Sequence, residues 1–496
     1  MSTGATAVLA GSPAAPRDGS RRAEIALWVL VALTIVGALG VTEKGINPAL
    51  VIAPIVFGLV LVAFQSTLLS WQTLLASILV VILFIPIRRY TVAAGGPIEL
   101  EPYRVLIAIV LGCWFLALAA DPRVTWRATG FGTPIAVLWL GILASLALNF
   151  GRVNAMSEFV LKSVTFFASY FLVMCFIASV VRSRVQLDRM LKLLVAGSAL
   201  LAIAALYEWR SGVNLFNGLG RFIPFLVYND IGEAMVRGSG ARALASAQHP
   251  IALGAALVMV LPLTVYLFKR TGKLIWLGCG GVLTLGALAT GSRTAAIMLV
   301  VVFGTFVWLK RAEMVRMAPA FVVLLIAVQG VMPGTIQSFK FMLNPAYAIQ
   351  EQSVAGGTGQ GRIADLGPSL KEWAGGNPFV GQGFGTRVTA TDGATGAQIL
   401  DDQWLGTLLE IGAVGLIGMM WLFFRAVRRM SRLSRSDDED VSWLGACLCA
   451  SLLAWTLGLF TYDAFAFIQV TFLAFTMLGF ASVAQHFQQK TDKAVA

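Results

Sequence analysis

Residues 250–268, PIALGAALVMVLPLTVYLF, carry no charged side chain over a length that matches the thickness of a membrane. An α-helix needs about 20 predominantly apolar residues to cross the hydrocarbon core of a bilayer. The run begins with Pro250, which suits the first turn of a helix, and it ends against Lys269 and Arg270. This stretch predicts a transmembrane helix with a proline end and a basic end on opposite sides of the membrane.

The composition of the whole chain agrees with this stretch. Of 496 residues, 58% are hydrophobic and 12% are charged, whereas an average soluble domain has roughly 25% charged residues. Such a chain cannot be folded around one water-soluble core, so the bilayer must act as the solvent for much of its surface.

Apolar runs recur along the chain and predict its architecture. We expect an all-α polytopic membrane protein of about 12–14 transmembrane helices, with one membrane domain over residues 24–486. Residues 1–23 are predicted to be a disordered cytoplasmic tail without a cleavable signal peptide, and residues 487–496 a second cytoplasmic tail. The candidate runs are 24–42, 46–64, 69–87, 104–121, 131–149, 158–181, 187–207, 250–268, 274–291, 293–309, 315–332, 404–424, 441–461 and 463–484.

Lysine and arginine in short loops predict the orientation. With the amino terminus inside, the basic segments alternate correctly, and both termini lie in the cytoplasm. The net charge of +12 is then a topology signal rather than a nucleic-acid patch. Arg88-Arg89 is the exception, because it lands outside, and a miscount of the early spans would explain it. The predicted inner cations are Arg17, Arg21, Arg22, Arg123, Arg127, Arg182, Arg184, Arg189, Lys269, Arg270, Lys273, Lys310, Arg311, Arg316, those of the inner segment RAVRRMSRLSR (425–435), Lys490 and Lys493.

Two predicted outer segments, 208–249 and 332–403, are much longer than ordinary connections. Long loops of this kind usually carry function, which places the working surface outside. The glycine cluster GQGFG (381–385) lacks the context of a dinucleotide-binding loop. The cysteines lie inside apolar runs and lack the spacing of metal ligands; they are Cys113, Cys175, Cys279, Cys447 and Cys449. We therefore predict no metal site, no disulfide framework and no cofactor.

Three arginines on the predicted outer face are candidates for binding an anion. Arg293 lies in ALATGSRTAAIML (287–299), where small neighbours would let an anion approach. The alternative is an arginine that snorkels to the membrane edge, but positive charge on the outer side runs against the topology rule. Arg242 would supply a second guanidinium for bidentate contact with a pyrophosphate, and Arg362 a third cation. Lys371 and Arg387 are expected to be solvated.

The candidate bases are His249, Asp401 and Asp402. His249 precedes Pro250, so it is either a catalytic group or an interfacial residue that caps the helix. Neighbouring carboxylates raise each other's pKa, which would poise one aspartate as a base, while the other interpretation is a helix cap. Glu410, deeper in the same run, is expected to be structural. Arginines beside a carboxylate pair suit a polyanionic leaving group and an alcohol that must lose its proton.

Several motifs in matching order resemble the O-antigen ligase and O-antigen polymerase superfamily over roughly the carboxy-terminal 300 residues. The motifs are YEWRSGVNLF (207–216), the R-x6-HP stretch from Arg242 to Pro250, TGSRTA (290–295), NPFVGQGFGT (377–386) and LDDQWLGTLLEIGAVGLIG (400–418).

This resemblance implies a membrane glycosyltransferase of the GT-C type that needs neither a nucleotide sugar nor a metal. Its donor would be a glycan on undecaprenyl pyrophosphate at the outer face of the bacterial cytoplasmic membrane, and its acceptor a sugar hydroxyl. Arg293 and Arg242 match the arginines that would bind the pyrophosphate. Asp401-Asp402 stands where ligases carry His-Asn and many polymerase-like members Asp-Asn. This difference favours a polymerase, or else a ligase that uses a carboxylate to join glycan to lipid A core or another surface acceptor.

The implied partners are the lipid-linked donor, the glycan acceptor and membrane lipids, with a possible chain-length regulator and no nucleic acid; the oligomeric state is open. A flippase for lipid-linked oligosaccharides is the main alternative that is not an enzyme, but no internal repeat of spans is seen. The peptidoglycan-polymerising glycosyltransferases fit the TGSRTA and DDQWL contexts less well.

Overall fold

The fold is described from a computed structural model, which covers residues 70–92, 101–223, 226–229, 236–237, 240–331, 366–387 and 400–495. The first two predicted membrane runs, the predicted tail 1–23 and Arg362 lie outside these described residues. The α-helices within them are α1 Trp71–Phe84, α2 Pro102–Ala120, α3 Gly132–Leu148, α4 Phe150–Ala155, α5 Ser157–Val180, α6 Arg184–Ser211, α7 Pro250–Thr271, α8 Ile275–Ala289, α9 Arg293–Leu309, α10 Arg311–Val331, α11 Leu366–Gly375, α12 Gln403–Leu433, α13 Glu439–Gly458 and α14 Ile468–Val495.

Each predicted apolar run from 69–87 onward coincides with one of these helices. Among the described residues, 7 helices are long and apolar enough to cross a membrane, namely α2, α5, α6, α7, α12, α13 and α14, and shorter apolar helices include α1, α3, α8 and α9. The predicted all-α class and the multi-pass membrane character are therefore confirmed at this level.

Three predicted boundaries differ from the structure. The basic run 425–435, expected to be a loop, continues helix α12 as far as Leu433, because arginine and methionine are good helix formers. The run expected at 463–484 begins too early, since α14 starts at Ile468. Residues 459–467, LFTYDAFAF, instead form a non-helical link between α13 and α14, which we call the connector. At the other end, α14 continues through most of the predicted tail 487–496.

Helix α14 is almost entirely buried, α7 and α13 are mostly buried, and α2 is mainly exposed. Close approach of backbones holds neighbouring helices together, as is usual where lipid supplies no hydrophobic drive between helices. At the interface of α3 and α12, a Cβ added to Gly141 would lie 2.7 Å from the Cα of Gly415, and one added to Gly418 would lie 2.6 Å from the backbone N of Leu138. These contacts fix α12 against α3.

Helix α12 is broken near its start, at Gly412, whose φ of 64° and ψ of −168° are not helical. A glycine-rich segment, residues 376–387, lies against the break and supplies the missing hydrogen bonds. The amides of Gln382 and Gly383 donate to the carbonyls of Leu409 (2.9 Å) and Glu410 (3.2 Å). In return the carbonyls of Pro378 and Phe379 accept from the amides of the two residues that follow Gly412, at 2.9 and 3.2 Å.

The loops predicted to be inner lie together at one end of the helices, which we call the basic end. Ion pairs and hydrogen bonds join them across the chain. Arg184 pairs with Asp438 at 2.5 Å, and Lys269 pairs with Glu313 at 2.8 Å. Other links at this end are Arg270 with Asp188 and Asp440, Lys310 with Ser434 and Ser442, Arg182 with Thr125, and Arg429 with Gln485.

The described parts of the predicted outer segment 208–249 lie at the opposite end, which we call the site end. A 3-10 helix, Leu215–Arg221, is followed by short antiparallel strand pairs. Strand β1 (Tyr90–Val92) pairs with β2 (Leu226–Tyr228), and β3 (Val236–Arg237) pairs with β4 (Gly240–Ala241). The pairing of β1 with β2 joins this segment to the chain that follows α1.

Replacing Gly412 by alanine should lower the apparent melting temperature of the purified protein strongly. Its backbone region is essentially restricted to glycine, with a strain of about 1–3 kcal/mol for other residues. In addition, an added Cβ would lie 2.4 Å from the carbonyl carbon of Phe379. Differential scanning fluorimetry in detergent measures the shift.

The matched control is Gly406→Ala, in the same helix. An added Cβ there meets only the Gln403 amide nitrogen, at 3.9 Å, and alanine favours a helix over glycine by about 1 kcal/mol. The control should melt at the same or a higher temperature. Equal melting temperatures for Gly412→Ala and the wild type would contradict the role given to the break.

Candidate functional site

Arg293 is the first residue of α9, at the site end, and its side chain is buried. Ser292 caps the helix, since its side-chain oxygen accepts a hydrogen bond from the Ala295 amide at 3.4 Å. Gly291 turns the chain between α8 and α9 with a φ of 57°. A guanidinium at the amino-terminal end of a helix lies beside backbone N–H groups and the positive end of the helix dipole, an arrangement that attracts anions.

Arg242 lies against this same turn. Its Nε donates to the carbonyl of Thr290 at 3.1 Å. A Cβ on Gly291 would stand 3.7 Å from the Arg242 Cγ, which is ordinary contact, so the arginine stem lies directly against the turn. Arg242 and Arg293 thus lie at one turn. We call the turn between α8 and α9, together with these two arginines, the arginine hairpin.

His249 is the amino-terminal cap of α7. Its Nδ1 accepts a hydrogen bond from the Ile251 amide at 3.1 Å, and its ring stacks on Phe467 with 5.4 Å between ring centres. Burial, together with the positive charge of Arg242, lowers the pKa of His249 to about 4. The imidazole is therefore neutral near pH 7, and Nε2 is the ring nitrogen outside the cap.

The two adjacent aspartates differ in role. Asp402 caps α12, because its Oδ1 accepts hydrogen bonds from the amides of Trp404 (2.8 Å) and Leu405 (3.1 Å). Asp401, one residue earlier, is exposed at the helix mouth. Of the alternatives left open by the sequence, the cap belongs to Asp402.

The connector joins the arginine hairpin to the aspartates. The Thr461 hydroxyl donates to that of Thr294, beside Arg293, at 2.9 Å. At the other end of the connector, the Phe465 amide donates to the Gln403 side-chain oxygen at 2.7 Å. Residues more than 100 positions apart in the chain are thereby brought to one site.

The connector also carries Asp463. This carboxylate is the first residue of the predicted membrane run 463–484 and is therefore not among the predicted site residues. Asp463 is half-buried. Burial, and then the negative charge of Asp401, raise the pKa of Asp463 to about 6, while the charge of Arg88 acts in the opposite direction. A single carboxylate between two apolar runs was the signal that would have identified it.

Arg88 and Arg89, the exception to the predicted topology, lie at the site end and contribute to it. The buried Arg89 guanidinium donates to the Asn217 side chain and to the carbonyl of Ala245, both at 3.2 Å, and to the carbonyl of Ala247. These contacts hold the chain immediately before His249. A miscount of spans is not needed to explain these arginines.

Glu208, in the motif YEWRSG, holds the chain that follows Arg242. Its carboxylate accepts hydrogen bonds from the amides of Leu244 (3.1 Å) and Ala245 (2.7 Å) and from the Asn214 side chain (2.9 Å). In the sequence this motif contributes only to the family resemblance. The contacts of Glu208 in the structure give it a positioning role.

Glu410 lies at the break of α12, and its carboxylate lies beside the backbone amides of Gly385 and Arg387. The Ser145 hydroxyl donates to its backbone carbonyl at 2.6 Å. Its predicted structural role fits these contacts. Arg387, expected to be solvated, is mostly buried and pairs with Glu372 at 2.6 Å, whereas Lys371 is exposed.

The structure therefore brings together five of the predicted site residues, and Arg362 lies outside the described part of the chain. Within the described ranges, no group of three or more histidine, cysteine, aspartate or glutamate side chains is placed to hold a metal ion. The site therefore contains two guanidinium groups and several carboxylates, and the connector links the guanidinium groups to the carboxylates.

No protein-family model matches the chain, and no curated protein matches it significantly.

Proposed function

We propose that the chain is a membrane glycosyltransferase that moves a glycan from undecaprenyl pyrophosphate to a sugar hydroxyl and so elongates a polysaccharide. The observation that carries this proposal is the connector, which joins the arginine hairpin to the carboxylates at one end of the helices. The motif order that resembles the O-antigen ligase and polymerase superfamily supports it further.

The arginine hairpin would bind the pyrophosphate of the donor. Arg293 offers a fixed guanidinium at a helix amino terminus, and Arg242 offers a second one that is already oriented by Thr290. Negative charge grows on the pyrophosphate as its bond to the sugar breaks. Preorganised cations stabilise that charge more in the transition state than in the ground state, which is the condition for catalysis. Arg362 stays a prediction as a third cation.

The acceptor would be activated by the carboxylates. Its hydroxyl oxygen forms a bond to the anomeric carbon as the bond to the pyrophosphate oxygen breaks, so the configuration at that carbon inverts. The hydroxyl proton passes to a carboxylate, for which we assign Asp463 with Asp401 beside it. A base with a pKa near 6 is largely ionised at neutral pH and still accepts a proton readily. Asp402 and His249 would position their helices through their caps.

The side of the membrane and the acceptor complete the proposal. Because lysine and arginine are concentrated at the basic end, we place that end in the cytoplasm and the site end outside. A ligase would use the same donor and site, with lipid A core or another surface glycan as the acceptor. A flippase would move the donor across the bilayer without forming a new glycosidic bond.

Arg293→Ala should abolish glycan transfer. Loss of one charge-stabilising donor commonly costs about 100- to 1,000-fold in rate, and Arg293→Lys should recover part of it, since lysine keeps the charge but not the bidentate geometry. The assay uses the full chain in proteoliposomes with lipid-linked glycan, and product length is measured by gel electrophoresis.

The matched control is Arg210→Ala, which removes an exposed cation near the end of α6, and it should keep wild-type activity. Activity of Arg293→Ala within about twofold of the wild type would refute the pyrophosphate assignment, because losses of one charge-stabilising donor are far larger. Translocated donor without any new glycan, followed in the same vesicles, would identify a flippase.

The pH profile of kcat/KM tests the base. The carboxylate of Asp463 must be ionised to accept the proton, so kcat/KM should fall as the pH drops below about 6. In Asp401→Asn, loss of the neighbouring negative charge favours ionisation of Asp463, and the midpoint should move to lower pH. Asp463→Asn should lower the rate by about 100- to 10,000-fold.

Asp437→Asn, an exposed carboxylate at the basic end, is the control and should leave the profile unchanged. A profile in which Asp463→Asn remains active while Asp401→Asn is inactive would move the base to Asp401. If both variants remain active, the carboxylate assignment fails, and His249 is the next residue to replace.

A further inference from the structure

The basic run 425–435 remains unexplained by the site, which lies at the other end of the protein. It forms the last turns of α12, a helix of 31 residues. Beyond the break at Gly412 it continues without interruption over residues 413–433. At 1.5 Å per residue this part is about 32 Å long, whereas the hydrocarbon core of a bilayer is about 30 Å thick. The last turns of α12 therefore reach the level of the lipid headgroups.

The arginines of this run share one side of the helix. At about 100° per residue, the four helical arginines fall within roughly 100° of the helix circumference; they are Arg425, Arg428, Arg429 and Arg432. Arg435 follows in the turn just beyond Leu433, the last residue of α12. Three of them are exposed, Arg428, Arg432 and Arg435. We call these three the arginine stripe.

The arginine stripe continues an apolar surface that faces lipid. Ile417, Trp421 and Phe424 are exposed to 58%, 39% and 65%, and they lie on the same side of α12 as the stripe. Arg428 follows Phe424 by about one helical turn. Helical side chains lean toward the amino terminus of their helix, which here is the direction of the bilayer. The guanidinium groups are thus directed to the border of acyl chains and headgroups.

Four carboxylates of the basic end pair with cations outside the arginine stripe. Of the acidic run that follows α12, Asp438 pairs with Arg184 at 2.5 Å, and Asp440 pairs with Arg270. Glu313 pairs with Lys269 at 2.8 Å. In the described part of the chain, no ion pair joins a carboxylate to the arginine stripe.

The macrodipole of α12 does not by itself explain the stripe. A cation is stabilised by the dipole only within the last turn of a helix, and Arg428 precedes that turn. Exposed arginines beyond an apolar, lipid-facing surface match the phosphate of a phospholipid in charge and in planar hydrogen-bond geometry. Clusters of basic residues at the end of a transmembrane helix attract anionic lipids.

We propose that Arg428, Arg432 and Arg435 form a binding site for the phosphate headgroup of anionic phospholipids in the leaflet at the basic end. This site is independent of the proposed glycosyl transfer, since it rests on other residues at the opposite end of the helices. Its occupant is a lipid that is already present in the bilayer beside α12.

Native mass spectrometry of the full chain in detergent tests the proposal, with phosphatidylglycerol as the probe and phosphatidylcholine as the neutral comparison. The triple variant Arg428→Gln/Arg432→Gln/Arg435→Gln should raise the Kd of the first phosphatidylglycerol by about tenfold or more, with no effect on phosphatidylcholine. The corresponding triple replacement by lysine should keep most of the preference, because it keeps the charge.

The matched control is Arg189→Gln/Lys273→Gln/Arg311→Gln, which removes three exposed cations at the same end, away from the stripe. It should change the Kd by less than about twofold, since it leaves the stripe charges in place. Equal losses in both glutamine triples would overturn the proposal, because the preference would then follow net charge alone. Displacement of the lipid by millimolar inorganic phosphate would identify a free-phosphate site instead and would also overturn it.

Discussion

The candidate site depends on the backbone pairing between the glycine-rich segment 376–387 and the break in α12. In a bilayer, an interrupted helix is tolerated only where other groups satisfy its exposed amides and carbonyls. The pairing does this with hydrogen bonds in both directions, and it requires glycine on both sides. A Cβ on Gly381 would lie 2.5 Å from the Glu410 carbonyl carbon, and one on Gly412 would lie 2.4 Å from that of Phe379. The first turns of α12, with Asp401 and Asp402 at their start, are thereby fixed by a contact that no side chain could replace.

The arginine hairpin could be predicted from the sequence, but the connector could not. Arg293 and Gly291 are neighbours in the chain, so local composition already marks a turn between two apolar runs. Asp463 acquires its significance from Asp401 and from burial, and both are properties of the folded chain. Likewise, Glu208 and Arg89 act on the backbone of residues 244–247, and nothing in their own sequence surroundings indicates that target.

Hydropathy predicts the positions of the helices correctly in most of the described chain. It gives the wrong answer for the connector, which is apolar but not helical, and for the run 425–435, which is largely helical but not apolar. The connector is rich in phenylalanine and alanine and was therefore read as membrane helix. Its backbone instead pairs with Gln403, a contact made across the fold. The run 425–435 was read as loop because it is charged, although arginine has a high helix propensity. The composition of a segment indicates whether it lies in lipid or in water, whereas its hydrogen bonds determine its backbone conformation.

The two ends of the protein use arginine in different ways. In the proposed orientation, cations at the site end oppose the topology rule, so a buried cation there is expected to have a defined partner. Arg89 on backbone carbonyls, Arg242 on Thr290 and Arg387 on Glu372 satisfy this expectation. At the basic end the same rule favours arginine without any specific contact, and exposure alone says little there. The arginine stripe differs from other exposed cations because it is aligned with the lipid-facing surface of α12. We therefore expect its neighbour to be lipid rather than water or protein.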